Sequence, residues 1–331
     1  MQKPGALRPG FSGEHMSRIS TVLGDINPGE LKFCQSHEHL SIAKSSPIAG
    51  AADKSIDDPE KNLAELELFY AAGGRAIVDA QPLGCGRDAQ MLAGISGKSG
   101  VHIVASTGFH KLSFYPENHW INSCSCDELT RLFISELKQG MYLDADLAFP
   151  ESQSDIRAGQ IKSAIDSEGL TARYEKLFAA AAEAAKVTGC ALMAHIEQNT
   201  DPRPLAEFLV KQGLPAERII FCHLDRAIAD MNIHREICGQ GINLEYDTIG
   251  RPKYHDDEKE AAIILEMVKT GFEKQLLLSL DTTRARLQSY GGTPGLTYIL
   301  NEFIPLLLKH NFTDAQIKSF FIENPSRVFA R

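Results

Sequence analysis

The chain has 331 residues, of which 43% are hydrophobic, and a formal net charge of -9 with a pI near 5.7. So acidic a chain excludes nucleic acid as the main partner, because phosphate backbones are bound by basic surfaces. No apolar run approaches the roughly 20 residues of a membrane-spanning helix. The seven cysteines include no Cys-x-x-Cys pair, which favours reduced thiols and a cytoplasmic location.

Residues 1–18 contain Pro4 and Pro9 but no apolar block, and we predict a flexible leader there, followed by a single domain over 19–331. From that point, short apolar runs alternate with segments of helical periodicity. The predicted strands are one ending at His39 and those over 75–80, 102–107, 158–164, 190–195, 218–223, 242–247 and 275–281. The predicted helices cover 59–72, 88–97, 126–141, 171–187, 204–212, 227–238, 257–270, 296–309 and 314–322.

The alternation of these elements predicts the fold class. Continuous apolar strands are typical of parallel sheets that are buried on both faces. Eight β-α repeats over this length predict an α/β fold of the closed (β/α)₈ TIM-barrel type. A doubly wound open sheet is the alternative, but no Gly-x-Gly-x-x-Gly follows any predicted strand.

Polar side chains occupy the predicted strand ends, where a barrel of this type places its chemistry. Taken singly, each has a plain structural explanation, such as a hydrogen-bonded core histidine or a capping aspartate. Six such residues at one rim favour a metal site instead. These residues are His37, His39, Lys162, His195, His223 and Asp281.

This ligand set indicates the metals. Imidazole and carboxylate ligands suit zinc, and also manganese, cobalt or iron. Six ligands are too many for one tetrahedral ion, so we expect two divalent ions with a bridging group. Lys162 can bridge only as a neutral amine. Burial beside two cations lowers a lysine pKa, and a neutral amine can take up carbon dioxide to become a bridging carbamate.

Several motifs together make the chain resemble the phosphotriesterase-like family of the amidohydrolase superfamily from Thr21 to Arg331. The matching pieces are Thr21-Val-Leu-Gly-Asp-Ile26, Ser36-His-Glu-His39, Asp79-Ala-Gln-Pro-Leu-Gly-Cys-Gly-Arg-Asp88, Ala158-Gly-Gln-Ile-Lys162, Ala194-His195, Phe221-Cys-His223-Leu-Asp225, Ser279-Leu-Asp281 and Glu323-Asn-Pro-Ser-Arg327.

The resemblance implies a division of the ligands between two ions. It implies a more buried ion held by His37, His39, carbamylated Lys162 and Asp281, and a second ion held by His195, His223 and the carbamate. It also implies a bridging hydroxide as the nucleophile, with Asp281 accepting its proton. Relatives are often dimers, so a homodimer is expected.

The loops after strands three, seven and eight carry the residues that we expect to bind substrate. They collect cations and a tyrosine on an acidic chain, which favours a small anionic substrate. These candidates are Lys111, Arg251, Lys253, Tyr254 and Arg284. The alternative is that Arg251 and Lys253 are solvated charges paired with Asp256 and Asp257.

These basic loops resemble relatives that open phosphorylated sugar lactones, and a lactonase is the first functional hypothesis. Organophosphate triesterases tend to carry a histidine where this chain has Thr248, and they favour an apolar pocket. A triesterase or another ester or amide hydrolase remains the alternative. A relative that binds a ligand without catalysis is a more distant one.

Overall fold

The computed structural model describes residues 17–46 and 54–331. The predicted leader therefore lies outside the described residues up to residue 16. Arg18 exchanges two backbone hydrogen bonds of 2.9 Å with Arg331, so the folded part includes a residue before the predicted boundary at 19. In the described part of the chain, no helix combines the length and apolar character needed to cross a bilayer.

Eleven strands are present in the described residues, and all but the first two belong to the barrel. The strands are β1 (Ile19–Thr21), β2 (Gly24–Ile26), β3 (Cys34–Glu38), β4 (Ala76–Asp79), β5 (His102–Val104), β6 (Ser106–Gly108), β7 (Gln160–Ile165), β8 (Leu192–Ile196), β9 (Ile219–Cys222), β10 (Asn243–Tyr246) and β11 (Leu276–Leu278).

The helices largely follow the predicted segments. They are α1 (Pro59–Ala72), α2 (Ala89–Ser99), α3 (Trp120–Ser123), α4 (Cys126–Lys138), α5 (Ala172–Thr188), α6 (Arg203–Lys211), α7 (Leu224–Ala227), α8 (Met231–Gly239), α9 (Asp257–Lys269), α10 (Ile304–Lys309), α11 (Asp314–Lys318) and α12 (Asn324–Phe329).

The barrel strands are parallel and follow chain order around the ring. β3, β4 and β5 pair in one sheet, and β6 to β11 pair in another. Between the last strand and the first, the backbone N–H of Asp281 donates to the carbonyl of His37 at 3.0 Å. The predicted (β/α)₈ architecture is confirmed, and its carboxyl rim carries the predicted ligands.

The predicted third strand is interrupted at Ala105, which separates β5 from β6. The reason is local, because the carbonyl of Ala105 accepts from the N–H groups of both Gly159 and Gln160. The closing helices also differ from the prediction. Each contains a π-helical turn, Ile299–Phe303 and Ser319–Glu323, shortly before a proline that lacks the N–H needed for an α-helical bond.

The interior of the barrel below the rim is partly polar. The buried Glu245 carboxylate accepts hydrogen bonds from the hydroxyls of Ser36 at 3.0 Å and Ser279 at 2.6 Å. Burial raises the pKa of Glu245 well above its ordinary value, and the nearby Asp247 carboxylate adds to that effect. Ser36 lies next to His37 and Ser279 lies two residues before Asp281, so this layer supports the site above it.

Candidate metal centre

The six predicted ligands lie around one cavity of about 240 Å³ at the carboxyl rim of the barrel. Their positions in the strands differ from the prediction only in detail. His195 lies within β8, whereas His39, His223 and Asp281 lie one to three residues past the strand ends. Lys162 is the third residue of β7 rather than its end, and its long side chain reaches the cavity from below.

The first ligand cluster is built by β3 and the segment after β11. Nζ of Lys162 lies 2.9 Å from Nε2 of His37. Oδ1 of Asp281 lies 3.8 Å from Nε2 of His37 and 3.4 Å from Nε2 of His39. His37, His39 and Asp281 therefore offer ligand atoms within 4.8 Å of one another, which is a spacing that one cation can span.

The second pair of histidines lies next to this cluster. The imidazole rings of His195 and His223 have centroids 4.4 Å apart, and that of His223 lies 5.0 Å from the ring of His37. Burial, reinforced by Lys162, lowers the pKa of His37 to about 4, and burial also holds the pKa of His223 well below its ordinary value. The imidazole rings of His37 and His223 are therefore neutral at physiological pH, as metal ligands must be.

Two of the ligands sit on strained backbone. His223 has a φ of 71° and Asp281 a φ of 49°, in the left-handed region that residues other than glycine rarely occupy. Asp281 is held there by Glu38, the central residue of His-Glu-His. The Glu38 carboxylate accepts from the N–H groups of Leu280 and Thr282, each at 2.9 Å. The residue between the two histidines thus fixes the backbone on both sides of Asp281.

Asp247 is a functional residue that sequence reasoning missed, although its position at the end of the predicted seventh strand was a usable signal. Its two carboxylate oxygens lie 3.1 Å from Nδ1 of His37 and 2.6 Å from Nδ1 of His223. Burial alone would raise its pKa, but His223, His37 and the Arg226 guanidinium outweigh burial and keep that pKa well below the usual range. The ionised carboxylate thus fixes both Nδ1–H tautomers and leaves Nε2 as the ligand atom.

Replacing Asp247 with asparagine is expected to weaken metal binding about 10- to 100-fold, as is typical of partners that orient a ligating histidine. The physical reason is that the amide NH₂ faces one Nδ1–H donor and forces that ring into the other tautomer. Chelator titration of the metal-loaded protein measures the change. Asp230→Asn, at the exposed N-cap of α8, is the matched control, and equal metal retention in both variants would contradict the assigned role.

Two arginines pair with Oδ2 of Asp281, the carboxylate oxygen that does not face His37 and His39. A nitrogen of Arg226 and a nitrogen of Arg251 each lie 3.1 Å from Oδ2. Burial alone would raise the pKa of Asp281, but Arg251, His39 and Arg226 together hold it well below the usual range. Arg251 was predicted to bind substrate or to be a solvated partner of Asp256 and Asp257. The solvated alternative is wrong for Arg251, whose guanidinium is mostly buried against Asp281.

The other candidate substrate residues are distributed over four cavities. Lys111 lines the ligand cavity, with Nζ 2.5 Å from Oε2 of Glu197. Lys253 is exposed, and its Nζ lies 4.6 Å from the centre of the Tyr254 ring. Both residues line a cavity of about 340 Å³, and Lys253 also lines one of about 750 Å³. Arg284 lines a separate cavity of about 410 Å³, where it donates to the carbonyl of Ser55. The structure therefore brings the metal ligands together but not these cations.

A (β/α)₈ barrel with imidazoles, a carboxylate and a buried lysine at its carboxyl rim defines a metal-dependent hydrolase. The donor set fits a divalent ion, because His37, His39 and Asp281 offer nitrogen and oxygen ligand atoms within 4.8 Å of one another. A model of the phosphotriesterase family matches residues 17–329, and the chain belongs to this family of binuclear metal hydrolases.

Individual relatives agree with this assignment. The chain is 28% identical to a phospho-furanose lactonase of Mycoplasmopsis synoviae, with 94% of this chain and 91% of that one covered. A solved lactonase of Listeria monocytogenes is 30% identical, with a TM-score of 0.86 over 95% of this chain and 99% of that one. The phosphotriesterase homology protein of Escherichia coli, solved with phosphate in its active site, is 27% identical, with a TM-score of 0.80 over 92% of this chain and all of that one.

Proposed function

We propose that this protein is a binuclear metal-dependent lactonase that opens a phosphorylated sugar lactone. The observation that carries the proposal is the convergence of all six predicted ligands on one cavity. Lactonases of Mycoplasmopsis synoviae and Listeria monocytogenes, similar to this chain over nearly its whole length, support the reaction class. When bound, the two ions, for which zinc is the first candidate, supply an activated water and polarise the carbonyl group.

The side chains of the protein take the remaining roles. Lys162, carbamylated at Nζ, would help to hold the ions with a carboxylate-like group, and Asp247 keeps His37 and His223 in the ligating tautomer. Asp281 accepts the proton of the attacking water and passes it towards the leaving oxygen. The guanidinium groups of Arg226 and Arg251 keep the Asp281 carboxylate ionised and ready for that proton transfer.

The substrate phosphate is assigned to the cavity of about 750 Å³ beside the ligand cavity. Thr283 lines both spaces, so one molecule can occupy them together. Asp256 caps α9, and the Asp257 carboxylate accepts from the N–H of Gly250 and the hydroxyl of Tyr298, each at 2.7 Å. Lys253 has no acidic partner in the described residues, which leaves its charge available to a phosphate.

The substrate class is tested with purified full-length protein loaded with zinc and a phosphorylated pentonolactone, its unphosphorylated form, an aryl phosphotriester and an N-acyl amide. Turnover of the phosphorylated lactone is expected to be highest and to be lost on chelation. Preference for the phosphotriester or the amide would replace the lactonase proposal with one of those alternatives. Binding of the lactone by metal-loaded protein without turnover would indicate a non-catalytic relative.

Lys253→Ala is expected to lower kcat/KM for the phosphorylated lactone about tenfold, which is the scale of one charge-assisted hydrogen bond. This variant should hydrolyse the unphosphorylated lactone at the wild-type rate. Arg284 lines a separate cavity, so Arg284→Ala should have a smaller effect on the phosphorylated lactone. Lys269→Ala, at the exposed end of α9, controls for the loss of a positive charge. An unchanged kcat/KM for the phosphorylated lactone in Lys253→Ala would contradict the phosphate anchor.

A further inference from the structure

His110 lies in the loop after β6 and lines the ligand cavity together with Phe114 and His195, but the ligand set does not include it. Its ring stacks on Phe114, with centroids 4.3 Å apart and planes inclined by 20°. The centroid of the His195 ring lies 6.1 Å away. His110 therefore lies beside the metal cluster, within the space where a substrate reacts.

The loop around His110 is anchored by its own backbone. Phe109 donates to the carbonyl of Lys162 at 2.9 Å, which ties the loop to the ligand strand β7. The N–H of His110 donates to the hydroxyl of Tyr115 at 2.8 Å, and Leu112 donates to the hydroxyl of Tyr174 at 2.9 Å. The position of the imidazole is thus fixed before substrate arrives.

One hydrogen bond determines the tautomer of His110. The backbone N–H of Lys111 donates to Nδ1 of His110 at 2.7 Å. A backbone N–H can only donate, so Nδ1 must carry a lone pair, and the proton of the neutral ring must be on Nε2. Burial and the neighbouring His195 lower the pKa of His110 well below its ordinary value, which agrees with a neutral ring.

The Nε2–H group is free to donate. In the described part of the chain no hydrogen bond involves this atom, whereas the ammonium of Lys111 in the same cavity is engaged by Glu197. His119, in the same loop region, differs because Nδ1 accepts from Ile121 and Nε2 contacts the carbonyl of Asp146 at 3.0 Å. A donor without a protein acceptor beside a reaction site is suited to a substrate oxygen.

We infer that His110 is a further catalytic residue, whose Nε2–H donates a hydrogen bond to the leaving oxygen of the scissile ester. The inference rests on the proposed hydrolase function. When the C–O bond breaks, its electron pair goes to that oxygen, and the hydrogen bond stabilises the developing negative charge. The proton that finally neutralises the oxygen comes from Asp281, and none is transferred from His110.

The kinetic test uses His110→Phe, which keeps a ring on Phe114 but has no donor, and His110→Gln, whose amide nitrogen replaces Nε2. The probes are acetate esters ranging from 4-nitrophenyl to phenyl, hydrolysed by the zinc-loaded enzyme. The phenyl ester has the poorer leaving group and should lose about 10²-fold in kcat/KM in His110→Phe, the scale of one removed donor. The 4-nitrophenyl ester should lose less than about threefold in kcat/KM, and His110→Gln should restore much of the phenyl ester activity.

His119→Phe is the matched control. In this variant the dependence of kcat/KM on the leaving group should be the same as in the wild-type enzyme.

A measurement without turnover complements the kinetics. NMR of ¹⁵N-histidine-labelled, metal-free protein should give the Nε2–H tautomer for His110, assigned with His110→Gln. A protonated Nδ1, or an equal loss for every ester in His110→Phe, would overturn the inference while leaving the hydrolase proposal intact. Failure of the wild-type enzyme to hydrolyse any ester would contradict the proposed function and, with it, the role of His110.

Discussion

Replacement of Lys162 is expected to abolish the second metal ion and to lower kcat/KM by at least about 10³-fold, or roughly 4 kcal/mol of transition-state stabilisation. Lys162 is 1% exposed, its Nζ lies 2.9 Å from Nε2 of His37, and it lines the same cavity as the other candidate ligands. Without a carbamate, two cations would lie side by side with no shared anionic ligand. Metal content per chain and steady-state kinetics measure both effects.

Lys162→Met is the preferred variant, because methionine fills a similar volume and avoids the cavity that alanine would leave. Reconstitution of the metal-free wild-type protein should require bicarbonate, whereas reconstitution of Lys162→Met should not respond to it. Lys61→Ala, at a largely exposed position on α1, controls for the loss of a lysine charge. Two ions per chain in Lys162→Met would contradict the bridging role.

The second large effect is expected for Asp281→Asn, with kcat reduced about 10³-fold, because the variant loses both a metal ligand and the proton acceptor. Asparagine suits the test, since it has the shape of aspartate and tolerates the left-handed backbone at φ 49°. The Glu38 hydrogen bonds that hold this backbone should persist. Any loss of activity then reports the missing carboxylate charge rather than a changed loop.

Asp256→Asn is the control for Asp281→Asn. It removes the same charge at the same rim, and asparagine caps α9 as well as aspartate does. We expect wild-type kinetics and metal content for this control. Retention of full kcat by Asp281→Asn, with two ions bound, would show that another group accepts the proton.

The fold and the convergence of the six candidate ligands on one cavity were largely predictable, because both follow from strand periodicity. The carboxyl ends of parallel barrel strands meet at one rim, so polar residues at those ends converge whatever the loops do. This argument placed His195 and His223 beside His37 although more than 150 residues separate them in sequence. It also placed Lys162 at this rim, although that residue lies inside β7 and reaches the cavity only because its side chain is long.

Strand periodicity did not identify the residues that orient or neutralise the candidate ligands. Asp247 and Glu38 occupy strand ends as the ligands do, and periodicity alone cannot distinguish a residue that orients a ligand from the ligand itself. Arg226 lies in the short helix α7 after β9, and Arg251 lies in the loop after β10. The direction of each side chain depends on local backbone angles that no periodic pattern encodes. The same holds for the separation of Arg284 from Lys253 into different cavities.

The sequence by itself predicted the barrel and the six candidate metal ligands, because residue type and strand spacing carry that information locally. Only the tertiary structure decided which carboxylate orients which imidazole, which arginines neutralise Asp281 and which nitrogen of His110 carries the proton. Those properties depend on contacts of about 3 Å between residues distant in the chain. Hydrogen bonds lose most of their strength with small changes in distance and angle, so such contacts are defined only when the whole barrel has closed.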